Sequence, residues 1–405
     1  MAVTSARRVV IVGGGHAGLL LALALDRLGV RAAIIDAQAV DAILGAPFGG
    51  RALALMYGSK QVFETLGLWA RLADVAEPVR GVRLEDRSTG ADIAYQAAEV
   101  ADHPFGYGIE TRMLRRRLLE LVLERSGIKV VAPARLSALE RTGEGIVATL
   151  DDGRRLAGAL VVGADGRGST VRARAGLEGV ARRYRESALT FAIHHSRPHE
   201  QRVREYLRPA GPLALLPIGE NLSSVTWCEP APLAKHLLAG PEDVLAALLH
   251  ERIGPVLGAF EIVGEPAAHP LATHQARRFV APRVALIGDA AHGIHPIHAQ
   301  GFNLAVRDIA TLAELLVEAE RTGRDFAHPE ALMSYDRLRR ADARAVAAMT
   351  DGLNSLFCND LAPAKLVRRM GWSALEALPP LKHAAMRRGM GLSGDLPRLA
   401  RGELP

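Results

Sequence analysis

Apolar and polar residues follow two periods along this chain. Residues 8–12 (RVVIV) are an apolar run behind Arg8, the pattern of a strand covered on both faces. Leu19 to Leu28 carry leucine and alanine at almost every position and stop beside Gly29, which predicts a deeply buried helix. Residues 31–36 (RAAIID) return to a strand that ends in Asp36. Leu160–Val162 and Val284–Ile287 are further short apolar strands, and a helix is predicted from Leu304 onward, with Leu312, Leu315 and Leu316 on its apolar side. The stretches "ALTFAIHH" (188–195) and "LSSVTWCE" (222–229) alternate as half-buried strands do. From 346 to 405 the pattern is helical, interrupted at Pro363, Pro379 and Pro380.

The turns between these elements hold the candidate chemistry. Gly13-x-Gly15-x-x-Gly18 fills the turn between the first strand and helix. Gly13 permits the tight turn, Gly15 lets the backbone approach a pyrophosphate, and Gly18 lets helix and strand pack closely, while the helix N-terminus attracts phosphate. Asp36, eighteen residues beyond Gly18, is placed to accept hydrogen bonds from an adenosine ribose. Arg7-Arg8 ahead of an apolar run could suggest an export signal. The order strand, glycines, helix, strand and terminal acid reads instead as a dinucleotide-binding βαβ unit. The fingerprint by itself does not separate NAD from FAD.

Composition narrows the setting. The 405 residues are 49% hydrophobic and 23% charged, and no uninterrupted apolar stretch is long enough for a membrane span. A net charge of +6 coexists with only five lysines among fifty basic residues, an arginine-rich composition that does not imply nucleic-acid binding. The excess is concentrated in 361–405, where eight basic residues face three acidic ones. That segment is either a solvated surface or a docking element for an anionic membrane or acidic partner. Cys228 and Cys358 have no paired spacing, which fits a reducing, cytoplasmic setting.

Two further motifs follow the later strands: Asp165-Gly166-x-x-Ser169-x-x-Arg172 and Gly288-Asp289-Ala290-Ala291-His292. With the glycine fingerprint, and in this order, they resemble those of the FAD-dependent aromatic hydroxylases, single-component flavoprotein monooxygenases related to para-hydroxybenzoate hydroxylase. Segments 51–69, 211–217, 224–227, 295–308, 352–360, 379–382 and 390–394 are most similar to the hydroxylases of ubiquinone biosynthesis. That subgroup usually has glycine where Ala299 and Ala305 stand, and His298 is unusual for it.

The resemblance implies an α/β fold, with a Rossmann-like FAD-binding domain interleaved with a mixed β-sheet substrate domain. The first comprises 1–75, 101–180 and 276–345, the second 76–100 and 181–275, and a helical C-terminal segment spans 346–405. It also implies FAD as cofactor, NADPH or NADH as reductant and O2 as co-substrate. By the same resemblance, dioxygen would add at the flavin C4a position and the hydroperoxide would hydroxylate an electron-rich ring. Gly13, Gly15, His16, Ala17, Gly18, Asp36, Arg51, Arg112, Asp165 and Gly288 would surround the FAD. Asp289 would bond its ribityl or pyrophosphate region, and the backbone at Gly301, Phe302 and Asn303 its pyrimidine ring. The helix behind them points its positive end at the flavin, favouring an anionic reduced form.

His292, His295 and His298 have the spacing H-x-x-H-x-x-H. Zinc needs three or four convergent ligands, and Pro296 restricts His295, so no metal is expected. By resemblance His295, the Pro296 backbone and His298 border the reacting face. His298 either deprotonates or orients a phenol or is a loop histidine bonded to backbone. The substrate expected is a prenylated phenol or another aromatic, with the protein cytoplasmic or peripheral on the inner face of the cytoplasmic membrane through its basic C-terminal segment. Rival readings are a hydroxylase of soluble aromatics and a redox-inactive flavin-binding subunit. An NAD-dependent dehydrogenase shares only the first motif.

Overall fold

The computed structural model describes residues 8–143 and 145–405, the His298 side chain excepted. The strand Arg8–Val12 lies inside a six-stranded sheet. Across the sheet the order is Val280–Ala281, Val284–Leu286, Leu160–Gly163, Arg8–Val12, Arg31–Ile35 and Ile128–Val131. All neighbours are parallel except the pair at 280–286, and Ile11 lies in register with Val162 on one side and Ile34 on the other. Parallel strands end at one edge, so the turns that follow Val12, Gly163 and Leu286 lie side by side. Three motifs far apart in sequence are gathered there. The helix His16–Arg27 buries every residue from Gly18 to Leu25, because it packs between this sheet and the helices Thr111–Leu123 and Gln300–Arg321.

A second, mixed sheet has eight strands in the order His292–Gly293, Phe260–Ala276, Gly179–His195, Leu222–Pro230, Leu213–Gly219, Arg202–Leu207, Gly81–Asp86 and Asp92–Gln96. Its two 17-residue strands pair antiparallel, and Phe191 and Trp227 are buried in a separate apolar core. Gly50 (φ +78°) is pressed onto this sheet: a Cβ there would lie 2.6 Å from the Ala192 nitrogen, and its carbonyl accepts from Ser224 Oγ at 2.7 Å. A three-stranded sheet, Ala52–Met56 with Gly106–Glu110 and Glu77–Val79, bridges the regions.

Several local expectations change. The long helix begins at Gln300, four residues before Leu304. The helical tail is interrupted just before these prolines, as expected, and each break is followed by a new helix, with Pro363 in the first turn of Ala362–Ala377 and Pro379 and Pro380 opening Pro379–Gly389. The missing N–H costs nothing in a first turn. A single helix, Pro329–Phe357, runs through the boundary drawn at 345/346, because its alanine-rich middle contains no breaker. The last segment then packs back onto the body of the protein. Met386 and Met390 pack with Phe105, while Leu399 and Ala400 enter the main core.

Candidate active site

Backbone geometry shapes the floor of the site. Gly13 has φ +108°, and a Cβ there would lie 2.3 Å from the Ala164 carbonyl oxygen; one on Gly18 would lie 1.8 Å from that of Gly13. Gly15, by contrast, has no heavy atom within 4 Å of that position. This open side lies at the start of the His16–Arg27 helix, whose first turn carries no acidic residue. Unpaired first-turn amides beside open space fit a pyrophosphate. Asp36 accepts from Gly14 N at 2.6 Å and Gln38 N at 2.8 Å, with Arg115 Nη2 3.2 Å away. Arg115 also donates to the Gly14 carbonyl and to Gln38.

The second and third motifs interlock above this floor. Asp165 accepts from Ser169 Oγ at 2.5 Å and Val171 N at 3.1 Å, so its carboxylate orders its own turn. Ser169 Oγ caps Arg172 N at 2.9 Å, and the Arg172 guanidinium donates to the Ala290 and Arg167 carbonyls. Arg167 Nε stands 3.5 Å from Asp289 Oδ2. Arg51 shares this field: burial and the Arg167 charge lower its pKa, and Asp289 opposes them. Gly288 (φ +54°) lies against the floor, since a Cβ there would be 3.6 Å from that of Ala17. Arg112 donates to the Pro47 carbonyl at 3.0 Å and steadies the loop that ends at Gly50.

A buried charge cluster holds the third motif. Asp308, 0% exposed, accepts from Gly288 N at 2.9 Å and Arg339 Nε at 2.7 Å and lies 2.6 Å from His292 Nε2. Burial would raise its pKa, but His292 and Arg339 outweigh that and hold it below the usual carboxylate value. His292 is thereby committed to Asp308. Among the described residues no cluster of His, Cys, Asp or Glu could hold a metal ion.

The Gln300–Arg321 helix has no side-chain cap, and its preceding residue, Ala299, is left-handed at φ +50°. Its first-turn amides at Gly301 and Phe302 are thus offered to a ligand. The Asn303 side chain is spoken for: Oδ1 accepts from Met56 N at 2.8 Å, and Nδ2 donates to the Ala54 and Ala299 carbonyls. Phe302 packs edge-on to His16 at 5.7 Å. His16 Nε2 lies 2.8 Å from the Thr111 carbonyl, and burial lowers its pKa to about 4. Both side chains are engaged within the fold.

His295 is 2% exposed, and burial lowers its pKa to about 4. Its ring meets Tyr184 edge-on at 5.0 Å, and the Tyr184 hydroxyl donates to Asp351 Oδ1 at 2.5 Å. Burial and then Asp351 raise the Tyr184 pKa to about 12. Pro296 precedes a short helical turn, Ile297–Ala299, while the His298 side chain lies outside the described residues.

Arg115, Arg167, Asp308, Arg339, Tyr184 and Asp351 were not singled out from sequence. Arg167 lies inside the second motif and was within reach of a closer reading. Asp308 closes the segment 295–308 without a chemical pattern of its own, Arg339 and Asp351 share the helix Pro329–Phe357, and Arg115 and Tyr184 lie on other elements with no local pattern around them.

Three nucleotide-type loops at one sheet edge, facing a second sheet, define a dinucleotide-cofactor oxidoreductase. Residues 6–350 match the family described as "FAD binding domain", and the chain belongs to it. It is an FAD-dependent aromatic-ring monooxygenase. The chain is 41% identical to "Ubiquinone hydroxylase UbiL" of Rhodospirillum rubrum, over 97% of this chain and 92% of that one. It is 30% identical to "3-demethoxyubiquinol 3-hydroxylase" of Escherichia coli, over 95% and 98%. Among solved structures it is similar to Pseudomonas aeruginosa PqsL in complex with 2-aminobenzoylacetate, with TM-score 0.75, 26% identity and coverage of 87% and 97%.

Proposed function

We propose that this chain hydroxylates the aromatic ring of a prenylated phenol or quinol precursor of ubiquinone. The supporting observation is the 41% identity to a ubiquinone hydroxylase across 97% of the chain, with all three flavin-type loops gathered at one edge. Bound FAD, reduced by NADPH or NADH, supplies the activation of dioxygen.

The chain's own residues bind and orient. The first-turn amides of the His16–Arg27 helix receive the pyrophosphate, since those of Gly13 and Gly14 already donate to Ile35 and Asp36, and Asp36, steadied by Arg115, receives the ribose. Arg51, Arg112 and Asp289 secure the central part of the cofactor, and the amides at Gly301 to Asn303 its ring. At the substrate side, His295 Nδ1 accepts from Ile297 N at 3.3 Å, so the neutral ring presents Nε2–H as a donor. Tyr184 keeps its proton up to about pH 12. With Nδ1 occupied and its basicity weakened by burial, His295 acts as a donor, and on the family resemblance we assign His298 to take or orient the phenolic proton. His298→Ala should lower hydroxylated product by about a hundredfold, while FAD binding stays intact; undiminished product would remove this role.

The decisive experiment follows NAD(P)H oxidation by FAD-loaded protein with and without a prenylated phenol, with product and hydrogen peroxide assayed together. Stimulation with matching product is expected. Stimulation by small phenols alone would move the reading to a hydroxylase of soluble aromatics, the alternative suggested by the PqsL complex. A protein that retains FAD but oxidises no NAD(P)H would be an accessory subunit. No helix among the described residues is long and apolar enough to cross a membrane. The site of action we propose is the inner face of the cytoplasmic membrane, reached peripherally.

A further inference from the structure

The helix Ala362–Ala377 has two dissimilar faces. Inward, Arg368 is 1% exposed; its Nε lies 2.9 Å from Asp86, and its other nitrogens donate to Ser88 Oγ and to the Leu356 and Asn359 carbonyls. Four positions on, Trp372 packs with Leu84, Ile93, Leu207 and Ile297. This inner face covers the end of the eight-stranded sheet and reaches Ile297, next to Pro296.

Outward, by helical periodicity, the same helix presents Leu366 (59% exposed), Val367 (54%) and Met370 (64%). Leu361 (67%), Leu378 (53%) and Leu381 (47%) are exposed on the adjoining segments. The helix cannot roll over to hide these residues, because rolling would strip the buried Arg368 charge of its partner. Arg369, Arg387 and Arg388 are exposed on this part of the chain. An apolar ridge among arginines has the composition of a helix that lies in a bilayer interface, where basic side chains meet anionic headgroups.

We propose that residues 361–388 form a docking face for an anionic lipid bilayer, with Leu366, Val367 and Met370 seated at the acyl boundary. The proposal rests on the reading that the substrate carries a prenyl tail. A lipid-tailed phenol could then pass from the bilayer along a helix whose inner face already touches the loop beside the site. A second copy of this chain is a poorer occupant, because joining two such faces brings like charges together.

The test sediments full-length, FAD-loaded protein with phosphatidylcholine vesicles containing about one-third phosphatidylglycerol, and with pure phosphatidylcholine vesicles. Pelleting with the anionic vesicles, weakened by salt, is expected. The triple variant Leu366→Glu, Val367→Glu, Met370→Glu should reduce it by about tenfold or more. Arg369→Ala with Arg387→Ala and Arg388→Ala should remove the preference for anionic vesicles. Both variants should keep their melting temperature and FAD absorbance. Equal pelleting by wild type and the glutamate variant would overturn the docking face. So would a wild-type dimer that the variant converts to monomer without any vesicle binding. Vesicle binding by a protein that hydroxylates no phenol would leave the docking face standing and defeat only the functional reading.

Discussion

At the nucleotide end of the site, position is set by backbone. Gly13 and Gly18 have no room for a Cβ, and Gly15 keeps an open side for the ligand. At the end we propose for the substrate, position is set by side chains from distant segments: Tyr184 from a strand, His295 from a loop and Asp351 from the helix Pro329–Phe357. The first arrangement is local and tolerates no substitution in its tight places. The second is assembled by packing and can vary while the floor stays fixed, which allows one cofactor platform to serve different aromatic substrates.

The sharpest test of this contrast is made at the glycines. Gly18→Val should abolish FAD binding and damage the fold, because even a Cβ would lie 1.8 Å from the Gly13 carbonyl oxygen. Gly15→Val should leave the circular dichroism spectrum intact and still weaken FAD retention. If both variants unfold together, the separation between scaffold and ligand space is wrong.

A smaller but still large loss is expected for Asp308→Ala, which leaves buried His292 without its carboxylate and Arg339 with Asp342 alone. The cost should be about 3–5 kcal/mol, read by denaturant titration. A change below about 1 kcal/mol would show that the cluster does not hold the third motif.

Acid should probe the two regions separately. His16 and His295 each have a folded pKa of about 4 against an ordinary 6.5. The unfolded chain therefore binds more protons between these values, and stability falls as pH drops from 6.5 to 4. Each histidine should contribute a loss of about 3 kcal/mol by the lower limit. His295→Asn should flatten its share of the pH profile, and an unchanged slope would contradict the buried, neutral assignment. The smallest effect belongs to Ala299, left-handed at φ +50°. Ala299→Gly should stabilise the protein by about 1 kcal/mol or less, since relieved strain is partly offset by unfolded-state entropy; a lower melting temperature would refute it.

The βαβ unit was legible because its constraints are local. Glycine spacing, a buried helix and the acid at Asp36 act within one turn or one strand of each other. The helix before Leu304 was read four residues short because Gln300 to Asn303 look like loop until Asn303 is seen bonded to Ala54 and Met56. A helix runs across the position 345/346 because nothing local ends it there.

By itself, then, the sequence determined the nucleotide floor, which short-range sterics and hydrogen bonding specify, and the order of the three motifs, whose resemblance to the aromatic hydroxylases supplied the flavin class. Only the tertiary structure decided that Asp165 orders its own turn, that Asp308 and Arg339 secure Gly288 and His292, and that Arg368 turns an apolar ridge outward. Those outcomes depend on which buried charges find partners across the fold, and a desolvated charge takes its partner from whatever the packing brings near, irrespective of distance along the chain.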